Sequence, residues 1–103
     1  MAKITFTTES AAEPLLVVTQ NGVNTTLDLR PAGAEKRTAT HEVAAGTSAL
    51  LTWIFGGNPG TKYKITLDPK AKITLSRGKN PIESSISTQR FFGQGSVMFE
   101  VAP

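Results

Sequence analysis

The chain has 103 residues, a formal charge of +3 and 39% hydrophobic residues, enough for one core and not for two. A mean hydropathy of -0.11 with 18% charged residues excludes a disordered chain, which carries more charge and fewer Val, Ile, Leu and Phe. Cysteine is absent and His41 is the single histidine, so disulfides, thiol catalysis, Cys-ligated zinc and multi-His metal centres are excluded and no metal or cofactor is expected.

In chain order the dominant period is two. Ile4 and Phe6 alternate with Lys3, Thr5 and Thr7, a strand apolar on one face. Glu9 to Glu13 reads as a short link. Leu15 to Val18 run without alternation, as in a strand covered on both faces or carrying an apolar exterior. Asn21-Gly22 is the strongest hairpin signal, because a type I′ turn needs positive φ at both central residues. The return strand places Val23, Thr25, Leu27 and Leu29 inward, with Asn24, Thr26, Asp28 and Arg30 outward. Pro31 to Glu35 reads as a loop. Lys36 to Val43 is a thin polar strand with only Ala39 and Val43 for a core, which suits an edge position.

Ala44-Ala45-Gly46 turns the chain into Ser48 to Phe55, the most apolar strand. Leu51, Trp53 and Phe55 share one face, and Leu50, Thr52 and Ile54 the other. Gly56 to Gly60 is a long turn. Tyr63, Ile65 and Leu67, then Asp68-Pro69-Lys70, then Ala71, Ile73 and Leu75 read as a hairpin pairing Leu67 with Ala71 and Ile65 with Ile73. Its outer face would hold Lys62, Lys64 and Lys72 beside Thr66, Thr74 and Ser76. Arg77 to Pro81 turns; Ile82 to Thr88 is a weak strand; Val97, Phe99 and Val101 close the chain. No helical stripe with caps is present.

About eight short strands with turn signals every 8 to 12 residues predict one all-β domain over residues 1–103, a small antiparallel β-sandwich of the immunoglobulin-like or jelly-roll kind. Phe92-Gly93-Gln94-Gly95-Ser96 resembles the Phe-Gly-x-Gly segment that opens the last strand of antibody variable domains. The resemblance covers five residues and implies a bulge entering an edge strand. It does not extend further: the cysteine pair and the Tyr-x-Cys before the motif are missing.

Chemistry-bearing motifs are few. Gly56 to Lys62 is not a phosphate loop, since Thr61 precedes Lys62 and a strand follows where a helix is required. His41 and Glu42 are neighbours in a strand and point to opposite faces, so they form no dyad. Spacing singles out no Ser-His-Asp set, no nucleophile elbow and no calcium loop. Asn24-Thr25-Thr26 fits a glycosylation sequon, but no basic segment followed by an apolar run opens the chain, so no signal peptide is expected. Cytosolic, virion and mature secreted settings are all compatible. The longest apolar runs, Leu15 to Val18 and Trp53 to Phe55, are too short for a transmembrane segment.

Two features carry functional expectations. Lys/Arg number four in residues 1–52 and seven in residues 53–103, against five and three Asp/Glu. The basicity thus gathers around Lys62, Lys64 and Lys72, either a solvated face or a docking surface for an anionic ligand. It lacks the interleaved aromatics of a single-strand nucleic-acid platform. Trp53, Asn58 and Tyr63 near the Gly56 to Gly60 turn are the candidates for a glycan site; the alternative, favoured by alternation, is that both aromatics are core. Apolar residues on both faces of Leu15 to Val18 and Leu50 to Phe55 predict self-association. The sequence therefore reads as a non-enzymatic binding or interaction module, a homo-oligomer with a glycan or anionic-surface ligand. The alternatives are a structural subunit of a virion, tail or fibre, and a membrane-active toxin component.

Overall fold

A computed structural model describes residues Met1–Pro103. Two five-stranded antiparallel sheets pack face to face. Sheet A has the order β4-β5-β1-β7-β9 and sheet B the order β3-β2-β6-β10-β8. The strands are β1 (Ala2–Ser10), β2 (Glu13–Gln20), β3 (Val23–Thr26), β4 (Arg30–Gly33), β5 (Lys36–Val43), β6 (Ser48–Gly56), β7 (Lys62–Asp68), β8 (Ile73–Leu75), β9 (Ile82–Ser85) and β10 (Phe92–Val101). This is the β-sandwich that the alternation predicts.

The inward sets are those expected from period two. Ile4 and Phe6 from β1, Leu16 and Val18 from β2, Leu51 and Phe55 from β6, Ile65 and Leu67 from β7, and Val97, Phe99 and Val101 from β10 are buried. Phe6 meets Phe99 edge-on across the sheets at 5.9 Å, and Phe55 stacks on Tyr63 at 4.2 Å. These aromatic pairs join sheet A to sheet B. The Asn21-Gly22 turn forms as read, with φ of 53° and 76° and Gln20 opposite Val23.

Four expectations are corrected. First, the chain from Tyr63 to Leu75 is not a hairpin. β7 lies between β1 and β9 in sheet A, whereas β8 pairs with β10 in sheet B. A 3-10 turn at Lys70–Lys72 carries the chain from one sheet to the other. A three-residue hairpin loop would put Pro69 at the third position of a type I turn, where its ring drives Asp68 out of the helical region that the turn requires. Ile65 and Ile73 are both buried, as period two requires, but on facing sheets.

Second, Pro31 belongs to a strand, since β4 pairs with β5 through Arg30, Pro31 and Gly33. Proline is tolerated there because β4 is the edge, which makes ten strands and moves β5 inside. Third, Val23 is exposed at the hairpin tip. Fourth, no bulge interrupts β10. Its register with β6 runs unbroken from Phe92 opposite Gly56 to Glu100 opposite Ser48.

The two glycines of the Phe-Gly-x-Gly segment have another purpose. A β-carbon on Gly95 would lie 2.4 Å from Trp53 Cζ2, and one on Gly93 would lie 3.1 Å from Tyr63 Cε2. They leave room for two large rings in the core.

Candidate functional site

The three lysines of the expected anionic face separate. Lys62 opens β7 and Lys64 follows on its outer side, whereas Lys72 sits in the turn beyond the far end of that strand. Lys62 and Asp68 are six strand residues apart, about 20 Å at the usual rise. The crossing at Pro69 is the physical cause, because it ends sheet A before Lys72 is reached.

Lys64 is also not a free cation. Glu9 stands between Lys36 and Lys64 in register, with its carboxylate 3.6 Å from Lys36 Nζ and 3.8 Å from Lys64 Nζ. Glu83 is opposite Lys64 on the other side. The outer face of sheet A therefore carries a row of alternating charge, Lys36, Glu9, Lys64, Glu83, above a row of Thr38, Thr7 and Thr66. Lys3 faces Glu42 at the other end. On the edge strand, Asp28 holds the Arg30 guanidinium above its ordinary pKa by a hydrogen bond and by its charge.

Trp53 and Tyr63 come together, but inside the protein. They are 8% and 5% exposed, and Trp53 Nε1–H donates to the Tyr63 hydroxyl at 3.2 Å. The packing alternative describes them; neither ring offers an open face for a sugar. Asn58 lies outside this pair, exposed in the turn after β6, where its carbonyl accepts from the Thr61 hydroxyl.

The outer face of sheet B differs from that of sheet A. Leu15 pairs with Ile54, Val17 with Thr52, and Thr19 with Leu50. Ile54, Thr52 and Leu50 in turn pair with Gln94, Ser96 and Met98. Leu15, Ile54 and Met98 are 43%, 38% and 42% exposed. These three central rows carry no charge; Glu13 and Glu100 stand at opposite ends of the sheet.

A cleft of 250 Å³ opens where β9 faces the start of β10, lined mainly by polar residues that include Ser84, Ser87 and Arg90. The sequence reading gives these residues no binding role, because exposed serines and an arginine at and beyond the end of a short strand carry no pattern to distinguish them. Only the folded chain sets them against Tyr63 and Gly93.

No protein family, no curated protein and no solved structure matches this chain. Its functional reading rests on the residues themselves.

Proposed function

We propose that the protein is a non-enzymatic interaction module that self-associates by stacking the outer face of sheet B on the same face of a second copy. The observation behind this reading is the uncharged surface of Leu15, Val17, Leu50, Ile54 and Met98 across three adjacent strands. Charge depletion with Leu, Ile and Met at the centre and carboxylates at the rim is the composition of an interface core. The strands of sheet B are 4, 8, 9, 10 and 3 residues long; at about 3.3 Å per residue and about 4.8 Å between strands they give a face of roughly 540 Å². That is about two thirds of the roughly 800 Å² per partner of a standard stable interface.

The charged rows of sheet A favour this choice of face. Stacking sheet A would remove Lys36, Glu9, Lys64 and Glu83 from water, and desolvated ion pairs seldom recover that cost. Stacking sheet B desolvates side chains that water holds weakly.

Sedimentation velocity across a hundredfold range of concentration tests the proposal. A concentration-dependent monomer–dimer equilibrium is expected. Ile54→Lys should shift it to monomer by at least tenfold in Kd, since the pair would bury two unpartnered ammonium groups. Lys64→Ala should leave it unchanged. A monomer at every concentration refutes the reading.

A further inference from the structure

We propose that the cleft between β9 and the start of β10 binds a single acidic saccharide residue, with its carboxylate on Arg90. The cleft adjoins the self-association face, since Phe92 and Gln94 lie on the same outer side of β10 as Met98, but the inference does not rest on self-association.

The site is built by the two sheets ending unequally. β8 covers β10 only from Phe99 to Val101. Beyond β8, Ser76 N–H and the Arg77 guanidinium donate to the Met98 and Ser96 carbonyls, no strand pairs with Phe92 to Gly95 on that side, and β9 is the bare edge of sheet A. Between these edges Gly93 contributes a wall without a side chain. A β-carbon there would meet the buried Tyr63 at 3.1 Å and Ile86 at 3.4 Å, so the position faces the core and its backbone alone borders the cleft. Ser84 stands directly opposite Tyr63 in the β7–β9 register.

Most polar groups lining the cleft are unspent. Tyr63 is 5% exposed, and its hydroxyl accepts the Trp53 Nε1–H. That hydroxyl is paired in the interior, so the polar side chains available at the cleft are those of Ser84, Ser85, Gln94 and Arg90. Neither the Ser84 hydroxyl nor the Gln94 amide is engaged by another side chain.

Arg90 has no carboxylate partner, and no Asp or Glu lines the cleft. Its position is fixed by a turn in which Arg90 N–H donates to the Ser87 carbonyl at 3.2 Å and Gln89 N–H to the Ser87 hydroxyl at 3.2 Å. The guanidinium lies 5.6 Å from the centroid of the Phe92 ring. A side chain held by a turn and an aromatic ring loses less freedom on binding.

This inventory selects a ligand. A guanidinium and an amide, with no opposing acid, call for a carboxylate and further oxygen acceptors. Serine hydroxyls both donate and accept, which matches sugar hydroxyls. Phe92, 41% exposed, offers apolar surface to a ring. At 250 Å³ the cleft is below the roughly 300–1,000 Å³ of drug-sized sites, so it takes one ring.

The test is a titration of the ¹⁵N-labelled protein with D-glucuronate, followed by amide shifts, with D-glucose, acetate and sulfate as separate arms. Saturable shifts are expected at Arg90, Gly93 and Gln94 and not at Leu15 or Lys72. Glucose, acetate and sulfate should each bind at least tenfold more weakly than glucuronate. Arg90→Gln should weaken glucuronate at least tenfold, and Ser84→Ala about threefold. Both residues are exposed, so the variants fold. Titration at a protein concentration where sedimentation shows only monomer separates this site from self-association.

Three outcomes overturn the proposal. Absence of saturation removes the site. Glucose equal to glucuronate, or Arg90→Gln without effect, removes the arginine's role. Acetate or sulfate equal to glucuronate leaves an oxyanion site without saccharide recognition.

Discussion

Replacing Gly95 by alanine tests the packing of sheet B on the protein's only tryptophan. Gly95 and Trp53 are register partners on β10 and β6, and the indole lies across the glycine. An alanine β-carbon would come to 2.4 Å from Cζ2, 2.7 Å from Cε2 and 3.1 Å from Nε1. The ring must move. Overpacking of this kind costs about 1–3 kcal/mol. Displacing Nε1 from the Tyr63 hydroxyl leaves a buried donor unpaired, a further cost of about 1–3 kcal/mol. Against these, alanine is better than glycine in a strand by about 0.5–1 kcal/mol.

The net expectation is a loss of about 2–3 kcal/mol, a fall in Tm of roughly 10–20 °C for a domain of this size. Urea unfolding followed by Trp53 fluorescence measures it, with a red-shifted native emission reporting the displaced ring. Gly93→Ala, whose nearest contact is 3.1 Å, should cost less, and Gly56→Ala, with nothing within 4 Å, should cost nothing. In a Trp53→Leu background, which deletes the colliding atoms, Gly95→Ala should cost under about 0.5 kcal/mol, because the coupling resides in that contact. A Gly95→Ala protein of wild-type stability with unchanged emission would refute the reasoning.

Other outcomes follow from the same structure. Ile65→Ala, at a fully buried site of β7, should cost about 2–5 kcal/mol in a urea melt. Lys64→Ala, on the outer side of the same strand, should stay within about 0.5 kcal/mol. Asn80 binds Leu67 with both ends of its amide, accepting from its N–H at 3.1 Å and donating to its carbonyl at 2.8 Å. Asn80→Ala should therefore cost about 2 kcal/mol, since two backbone groups lose their partner, and should speed hydrogen exchange at the Leu67 amide. A slow Leu67 amide in that variant would show that water replaces the side chain without loss.

Period two shows which side of a strand is inward, and Ile4, Leu51, Ile65, Ile73 and Phe99 were all legible in that way. It does not show which strand pairs with which. Ile65 and Ile73 both point inward whether they face each other in a hairpin or across two sheets, so the Tyr63 to Leu75 hairpin fits the pattern and not the fold. The deciding datum is the Pro69 ring and its restriction of Asp68, which a hydrophobic pattern does not weigh. The same crossing scattered Lys62, Lys64 and Lys72.

Gly93 and Gly95 were legible as a special pair but not as to purpose. A glycine that makes a bulge and a glycine that clears space for an indole look alike in one dimension. Arg90 and Ser84 had no signal at all, because their significance comes from neighbours 27 and 21 positions back, at Tyr63, and from a strand that stops short.

If copies stack through sheet B as proposed, the unequal treatment of the two broad faces limits how far they can accumulate. A fibre grows only if every added subunit presents a fresh adhesive surface at its far end. Here a stack through sheet B turns the row of Lys36, Glu9, Lys64 and Glu83 outward at both ends, and the next copy meets alternating charge already paired and hydrated. The pair is thus its own cap. Under that proposal, the threonines and ion pairs of sheet A would set a stoichiometry of two, and endless polymerisation would require an additional contact along the sheet edges.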